Sequence, residues 1–516
     1  MSDATPDLTT TSGRIADLRA RLSEAQAPLG QEKVDDTHAA GAQTARERAV
    51  ALVDEGTFVE TDALARHRVT EGDMERNRPA TDGVITGYGT VDGRRVCVYS
   101  QDDTIFDGAL GEVNGEKILK IYELATKTGV PVVGIHSSTG TRVIEGITAL
   151  NMYAKLFEAA SLASGLVPQI SVIAGRNVGL ASIAPNFADL IVQVEGSTLN
   201  LVDESVVSSV GGTATTGAEL GGADVHSATT GLAHFTAATD RDALALVREV
   251  LAFLPVNNLS EAPRTDATAE TELRDLDREL DNLIPDTDAQ AYDVIDVLTR
   301  IVDDGVLRQV QENFAPNVVT GFARVEGRAV GIVANQPTEL AGCLDAAAAT
   351  KAARFIRLCD AFNLPILEVV DSPGFLPAIE QEHAGVSRAA AQLAYAFSEA
   401  TVGKVTLITR KALGVAYVLM GSKSTGADLV YAWPTAQIAA ADARTATTEL
   451  HGDDTDDTKA AKWADSNLTP YLAAESGLVD AVIEPSATRS HLVEGLRLLD
   501  RKVIVRRPKK HGNIPL

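Results

Sequence analysis

Val84-Ile85-Thr86-Gly87-Tyr88, followed by Val91-Asp92-Gly93-Arg94 and Val96, is met again as Val318-Val319-Thr320-Gly321-Phe322, followed by Val325-Glu326-Gly327-Arg328 and Val330. Self-similarity at a fixed spacing marks a duplicated structural unit. Thr86 meets Thr320, and the offset of 234 residues continues without a gap: Lys117 meets Lys351, Leu124 meets Leu358, Pro131 meets Pro365, Ser138 meets Ser372 and Gly140 meets Gly374. Further on the offset is 235, pairing Val167 with Val402, Ile173 with Ile408, Gly179 with Gly414 and Ala181 with Ala416. Chance does not hold one register over that distance. The chain therefore reads as two tandem α/β units related by internal duplication. The acidic stretch from about 260 to 288 reads as their connection, and the expected domains are 1–270 and 271–516.

Each copy repeats one local pattern. Alternating apolar residues around Val91-Asp92-Gly93-Arg94 predict a hairpin closed by an Asp-Gly turn. Ile118, Ile121, Leu124 and Ala125 share one face of a predicted helix. Val130 to Ile135 reads as a buried parallel strand that ends in a polar loop, Ser137-Ser138-Thr139-Gly140. A second helix, about 150 to 164, leads to a second buried strand, Ile170 to Ala174. That strand runs into Gly175-Arg176-Asn177-Val178-Gly179-Leu180-Ala181, and in the second copy Val405 to Thr409 runs into Arg410-Lys411-Ala412-Leu413-Gly414-Val415-Ala416-Tyr417. Strand-to-helix loops are where backbone N–H groups converge on negative charge, so chemistry is expected there.

The totals exclude several classes. A chain of 516 residues is too long for one ordinary core, and 45% hydrophobic residues rule out global disorder. No apolar run approaches the roughly 20 residues of a membrane span. The start, Met1 to Asp7, lacks the basic and apolar regions of a signal peptide, so a cytoplasmic protein is expected. A net charge of −25 makes nucleic acid a poor partner. Cys97, Cys343 and Cys359 are scattered without zinc-type spacing and read as reduced core residues, and no metal site is expected. The aspartates between 453 and 457 read as a solvated acidic loop.

From about Ile15 to Leu516 the chain resembles the carboxyltransferase (beta) subunits of biotin-dependent acyl-CoA carboxylases, of the propionyl-CoA carboxylase type. In the first half the resemblance is carried by Gly56-Thr57-Phe58-Val59-Glu60, Gly111-Glu112-Val113-Asn114-Gly115-Glu116-Lys117-Ile118 and Glu219-Leu220-Gly221-Gly222-Ala223. In the second half it is carried by Val333-Ala334-Asn335-Gln336-Pro337, Lys351-Ala352-Ala353-Arg354-Phe355, Ser372-Pro373-Gly374-Phe375-Leu376-Pro377, Met420-Gly421-Ser422-Lys423 and Ala432-Trp433-Pro434-Thr435-Ala436-Gln437-Ile438-Ala439, and by the tail from Lys509 to Leu516. The resemblance implies two crotonase-like domains of the ClpP/crotonase spiral type. It implies acyl-CoA as substrate, in fatty acid metabolism, and biotin carried covalently by a biotin carboxylase/biotin carrier alpha subunit rather than by this chain. It also implies a hexameric ring, built with itself or with a beta paralogue. In the family reaction a carboxyl group passes from carboxybiotin to the α-carbon of the acyl-CoA. Two oxyanions are then met by backbone N–H donors, each worth about 10²–10³ in rate.

The loops depart from the family at those donors. A cysteine-alanine-glycine-glycine-alanine loop on the acyl side is Asn177-Val178-Gly179-Leu180-Ala181 here. On the biotin side an aromatic-glycine-glycine-alanine-tyrosine loop is Leu413-Gly414-Val415-Ala416-Tyr417. Leu180 and Val415 are repeat equivalents, and both replace glycine. A branched residue forced to positive φ would be strained there. The acyl-CoA segment becomes His136-Ser137-Ser138-Thr139-Gly140-Thr141-Arg142, a later one Val202-Asp203-Glu204-Ser205, and the biotin-side segment Ala441-Asp442-Ala443-Arg444-Thr445-Ala446. The segment from His451 to Asp457 looks shorter and more acidic than the family's helical excursion. The backbone oxyanion positions are thus expected at Gly179, Leu180, Ala181, Gly414, Val415 and Ala416. Acyl-CoA contacts are expected at Thr139, Gly140, Thr141 and Arg142, and biotin contacts at Tyr417, Asp442 and Ala443. The expected function is a carboxyltransferase-type beta subunit with impaired turnover, kept as a structural or regulatory part of its complex. One alternative is an active beta subunit with a divergent substrate pocket. Another is a crotonase-fold hydratase or isomerase using His136 and Glu145. A Ser-His-Asp hydrolase lacks its Gly-x-Ser-x-Gly elbow.

Overall fold

The computed structural model describes residues 7–27, 29–39, 41–267, 273–288, 290–505 and 507–515. The chain divides into two compact units, Met1–Ala252 with Val256–Leu259, and Phe253–Pro255 with Ser260–Leu516. The expected boundary at 270/271 falls outside the described residues.

Each unit is built on an eight-stranded sheet. In the first, the order runs Val59–Thr61, Val84–Val91, Arg94–Gln101, Val132–Ser138, Gln169–Val178, Leu190–Val194, Phe235–Ala237, with Thr198–Asn200 pairing with Gln169–Val178. In the second, it runs Leu307–Val310, Val318–Val325, Arg328–Asn335, Ile366–Ser372, Lys404–Leu413, Leu429–Ala432, Ala481–Val482, with Gln437–Ala439 pairing with Lys404–Leu413. Hairpins open both sheets, with Val91 opposite Arg94 and Val325 opposite Arg328. Their two-residue turns take positive φ at both positions, Asp92 and Gly93 in one and Glu326 and Gly327 in the other, the geometry that suits the twist of the flanking strands.

The repeat holds at the level of hydrogen-bond register. Cys97 lies opposite Val132 as Gly331 lies opposite Ile366, and Val132 opposite Gln169 as Ile366 opposite Lys404. Both sheets carry an irregularity at the same place, between His136 and Ser138 and between Val370 and Ser372.

Helices cover the sheets because their apolar stripes need a partner. The helix Glu112–Thr128 buries Ile118, Ile121 and Ala125 on one face, against Val84, Tyr99 and Val132. In the second unit, Ala346–Ala361 buries Phe355, Ile356 and Cys359. Burying a Val, Leu, Ile or Phe side chain stabilises by about 1.5–3 kcal/mol, so these strand and helix faces supply most of the driving force. Trp433 is fully buried in the second core and its Nε1–H donates to Thr488 Oγ1 at 2.8 Å.

Three sequence expectations shift. Ser137 and Ser138 belong to the strand Val132–Ser138 and are buried, so the polar loop begins only at Thr139. The following strand runs on to Val178, because Thr198–Asn200 pairs with Arg176–Val178 and satisfies its backbone. The second helix begins at Gly146, earlier than its apolar periodicity indicated. The acidic segment near 452 lies between two helices, Ala443–His451 and Asp457–Asn467, the second capped by Asp456. Cys97 and Cys359 are buried, Cys343 is half-buried, and all three are free thiols. Among the described residues no helix is long and apolar enough to cross a membrane.

Candidate active site

In the first unit the chain leaves the strand Gln169–Val178 through Gly179, whose φ of 65° and ψ of −132° turn it into the short helix Leu180–Ile183. The second unit does the same through Gly414, with φ 52° and ψ −122°, into the helix Val415–Leu419. Each glycine N–H is tied back to a neighbouring strand, Gly179 to Asn200 O at 3.1 Å and Gly414 to Ala439 O at 2.9 Å. The next two N–H groups, of Leu180 and Ala181 and of Val415 and Ala416, sit in the first turn, where no carbonyl of the same helix reaches them. No side chain caps either helix.

The positive-φ position is therefore still glycine in both loops, and Leu180 and Val415 follow it. The strain expected of a branched residue at positive φ is absent. Leu180 packs on the core that holds Tyr153 and Leu156, whereas Val415 is 55% exposed. Ala181 and Ala416 are buried beneath them.

The segment expected to meet acyl-CoA, Thr139 to Arg142, is pinned along its length. Thr139 donates both its N–H and its hydroxyl to Asp107 O at 3.1 Å. Gly140 O accepts from Leu110 N–H at 2.8 Å and from the Tyr153 hydroxyl at 3.0 Å, and Thr141 forms a bridge with Leu110. The structure brings this segment to the turn at Gly179, since a Cβ on Gly140 would stand 3.1 Å from Val178 O. Arg142, however, turns inward. Its guanidinium donates to Asp82 and Glu145, both at 2.8 Å, reaches Ala109 O at 3.2 Å and lies over the Phe106 ring. Burial lifts the Asp82 carboxyl above its ordinary range, with Arg142 pulling against it. The Glu145 carboxylate also accepts the Glu112 N–H at 2.6 Å, at the start of the helix Glu112–Thr128.

His136 is elsewhere in function. It is buried, its Nε2 lies 3.1 Å from Ser171 Oγ and 3.4 Å from the Tyr99 hydroxyl, and burial pushes its pKa down to about 3. It is a neutral core imidazole, and it shares no hydrogen-bond partner with Glu145.

In the second unit, a Cβ on Gly414 would stand 3.0 Å from Ala440 O, so the strand exit and the segment from Ala440 onward meet. Asp442 caps the helix Ala443–His451, accepting from the N–H groups of Arg444 and Thr445 at 3.0 Å and from the Thr445 hydroxyl at 2.7 Å. Burial works to raise its pKa, and these donors bring it below the usual value. Ala443 is the first residue of that helix. The Tyr417 hydroxyl is buried and has no hydrogen-bond partner, and burial raises its pKa.

Two supporting groups escaped the sequence reading. Arg176 reaches Asp203 at 2.5 Å and Glu204 at 3.1 Å, holding the segment after Asn200 against the acyl loop. Asp371 and Arg410 form a buried ion pair at 2.9 Å, and Asp371 also accepts the Lys411 N–H at 3.0 Å. Burial raises the Asp371 carboxyl, with Arg410 opposing. Their repeat equivalents are Ser137 and Gly175, which also touch: a Cβ on Gly175 would lie 2.0 Å from Ser137 Oγ. Reading the two copies against each other pair by pair would have found it. Among the described residues no cluster of acidic, histidine or cysteine side chains could hold a metal ion.

Residues 36–514 match the family described as the carboxyl transferase domain. The chain is 48% identical over 534 aligned residues to the biotin-dependent acetyl-/propionyl-coenzyme A carboxylase beta5 subunit of Mycobacterium tuberculosis, covering 100% of this chain and 97% of that one. It is 48% identical to the propionyl-CoA carboxylase beta chain of Saccharopolyspora erythraea, covering 99% and 97%. A crystal structure of transcarboxylase 12S, a hexamer with methylmalonyl-coenzyme A bound, matches with a TM-score of 0.96 at 41% identity, covering 98% of this chain and 99% of that one. The fold is the carboxyltransferase arrangement of crotonase-like units.

Proposed function

This chain belongs to the carboxyl transferase family, as a beta subunit of the acyl-CoA carboxylase type, and we propose that it serves carboxyl transfer from carboxybiotin to the α-carbon of an acyl-CoA, with impaired turnover of its own. The N-terminal domain, 1–270, takes the acyl-CoA, and the C-terminal domain, 271–516, takes the biotin. Biotin belongs covalently to an alpha subunit. Bound here, it supplies the carboxyl group and a ring nitrogen that accepts the α-proton.

The observation that carries the reading is the pair of glycine-led turns at Gly179 and Gly414, each presenting two first-turn N–H groups. On the acyl side the donors of Leu180 and Ala181 face the thioester oxygen as it becomes an enolate, and Thr139 to Thr141 frame the coenzyme. On the biotin side Val415 and Ala416 do the same for the ureido oxygen, beside Tyr417, Asp442 and Ala443. The orphaned Tyr417 hydroxyl suits an uncharged ring carbonyl, so the residues present fit the group. Impairment is supported by Val415, which replaces glycine at one of these donor positions and carries an exposed isopropyl group.

The second reading, an active subunit with a divergent pocket, is supported by the glycines that keep the positive-φ position. One assay separates the two. With the alpha subunit, ATP, bicarbonate and short acyl-CoA esters, impairment predicts turnover lower by roughly 10²–10³ than that of an intact relative, the cost of one misused donor. Turnover equal to the relative's would leave the active reading standing.

We further propose that the chain works in the cytoplasm, in a hexameric ring with itself or with an intact beta paralogue, served by a biotin-bearing alpha subunit. Leu201, Val206 and Val210 in the first unit, and Ile379, Val418 and Leu450 in the second, are exposed in the single chain, as subunit contacts would leave them. Interfaces of this permanence bury about 2,000–5,000 Å², so the assembly should survive gel filtration. Native mass of co-expressed chains tests this: a homomer from which every beta paralogue is missing would sink the mixed ring.

A further inference from the structure

Beneath the biotin-side turn lies a carboxyl group that the reaction does not use. Glu368, in the strand Ile366–Ser372, is fully buried, and neither of its carboxyl oxygens has a hydrogen-bond partner. Its strand neighbour in register is Thr406, whose hydroxyl donates to Gly421 O at 2.7 Å. Gly421 follows the helix Val415–Leu419 by two residues, at a φ of 65°. A Cβ placed there would stand 1.9 Å from Glu368 Oε2 and 2.4 Å from Thr406 Oγ1. The Glu368 carboxyl thus fills the space that any side chain at position 421 would need.

The turn it supports leads straight to the site. Met420 N–H donates to Ala416 O at 2.9 Å, and the Ser422 hydroxyl reaches back to Val418 O at 3.2 Å. A displacement of Met420 to Ser422 is therefore passed to the helix whose first N–H groups face the biotin oxygen. Lys404 pulls electrostatically on the carboxyl, while its ammonium donates to Phe397 O and Ala400 O at 2.8 and 3.1 Å.

The first unit solves the same problem with different atoms. The repeat equivalents of Glu368 and Thr406 are Gly134 and Ser171, which are also in register. A Cβ on Gly134 would lie 2.3 Å from the Tyr99 hydroxyl and 2.9 Å from His136 Nε2. Tyr99 and His136 fill there the layer that Glu368 fills in the second unit. Burial works against charge in both fillings: it pushes the Glu368 carboxyl well above the usual carboxylate range, with Lys404 opposing, and the His136 imidazole down.

We propose that Glu368 is a positioning residue for the biotin-side half-site, wedged against Gly421 so that it fixes the turn from Met420 to Ser422 and, through it, the helix that carries Val415 and Ala416. The proposal rests on the assignment of biotin to that half. It is tested with Gly421→Ala, Glu368→Ala, the double variant and Glu368→Gln, by hydrogen exchange of the hydrogen-bonded amides of Leu419 and Met420 and by binding of biocytin and of propionyl-CoA. Gly421→Ala should speed exchange at those amides by about tenfold or more, a local opening, while the amides of the first unit stay unchanged. In the Glu368→Ala background the same substitution should have a severalfold smaller effect, because the clash at 1.9 Å is gone and only the Thr406 hydroxyl and the positive φ still oppose a side chain. Glu368→Gln, which keeps the shape, should keep the protection. Biocytin binding should weaken with the exchange and propionyl-CoA binding should not. Equal effects of Gly421→Ala in both backgrounds would overturn the proposal. If the wild-type chain binds neither ligand, the assignment of biotin fails, and the exchange data still decide the wedge.

Discussion

Leu180 and Val415 stand at the same place in two copies of one turn, yet Leu180 leans on the core of its unit while Val415 is 55% exposed. One sequence change, glycine to a branched aliphatic, therefore has two physical meanings. In the first copy it adds packing. In the second it leaves an isopropyl group exposed on the turn.

The two reversions should differ accordingly. Leu180→Gly removes packed surface as well as helix preference and should cost about 2–3 kcal/mol, while Val415→Gly should cost about 1 kcal/mol or less. Thermal unfolding of the single variants measures this. Their combination should leave carboxylation unrestored, because Thr139, Asp203 and Asp442 also differ from the family, and effects within one catalytic unit are not additive. Strong carboxylation by the double variant would refute that.

Arg410→Met should destabilise the second unit by about 3–5 kcal/mol, because it strands the buried Asp371 carboxylate. Replacing both partners, Asp371→Leu with Arg410→Met, should recover a large part of that loss. Denaturant midpoints of the three variants decide it, and a double variant weaker than the single one would count against the ion pair as the cause.

Gly175→Ala should unsettle the acyl side. Its Cβ would stand 2.0 Å from Ser137 Oγ, which donates to Asp103 at 2.7 Å. A loss of about 1–3 kcal/mol is expected from overpacking, and Ser137→Gly in the same chain should relieve it. Melting temperatures of the two variants provide the comparison.

Two repeat-equivalent lysines make stability depend on pH. Lys117 donates to Thr81 O at 2.8 Å and Lys351 to Phe314 O at 2.7 Å, and burial pushes their pKa values down to about 8 and about 7. The unfolded chain then binds more protons than the folded chain from about pH 7 up to the ordinary lysine pKa near 10.4. Their contribution is full above that upper value and is lost as pH falls through 8 and 7. Stability relative to Lys117→Met and Lys351→Met variants should therefore rise with pH by a few kcal/mol across that window. Denaturation midpoints that fall relative to those variants would reverse the assignment.

The repeat, the hairpins and the buried strands were legible because they rest on short-range pattern: alternation, turn residues and one offset. What stayed hidden depended on partners far along the chain. The strand through Arg176 and Asn177 looks like a loop until Thr198–Asn200 pairs with it. Arg142 looks like a coenzyme ligand until Asp82 and Glu145 turn it inward. Asp442 looks like a pocket carboxylate, and it also caps its own helix. The strain expected at Leu180 and Val415 vanished because a single residue decides which position takes positive φ, and the glycine before each takes it.

The matching irregularities between His136 and Ser138 and between Val370 and Ser372 carry a history. A misstep in strand pairing is a poor candidate for independent invention at the same spot. Duplication of one unit that already carried the irregularity accounts for both. The halves differ around a shared kink, from the Asp371–Arg410 pair to the Glu368 wedge, so segments exchanged between the halves at that kink should splice in frame with the sheet.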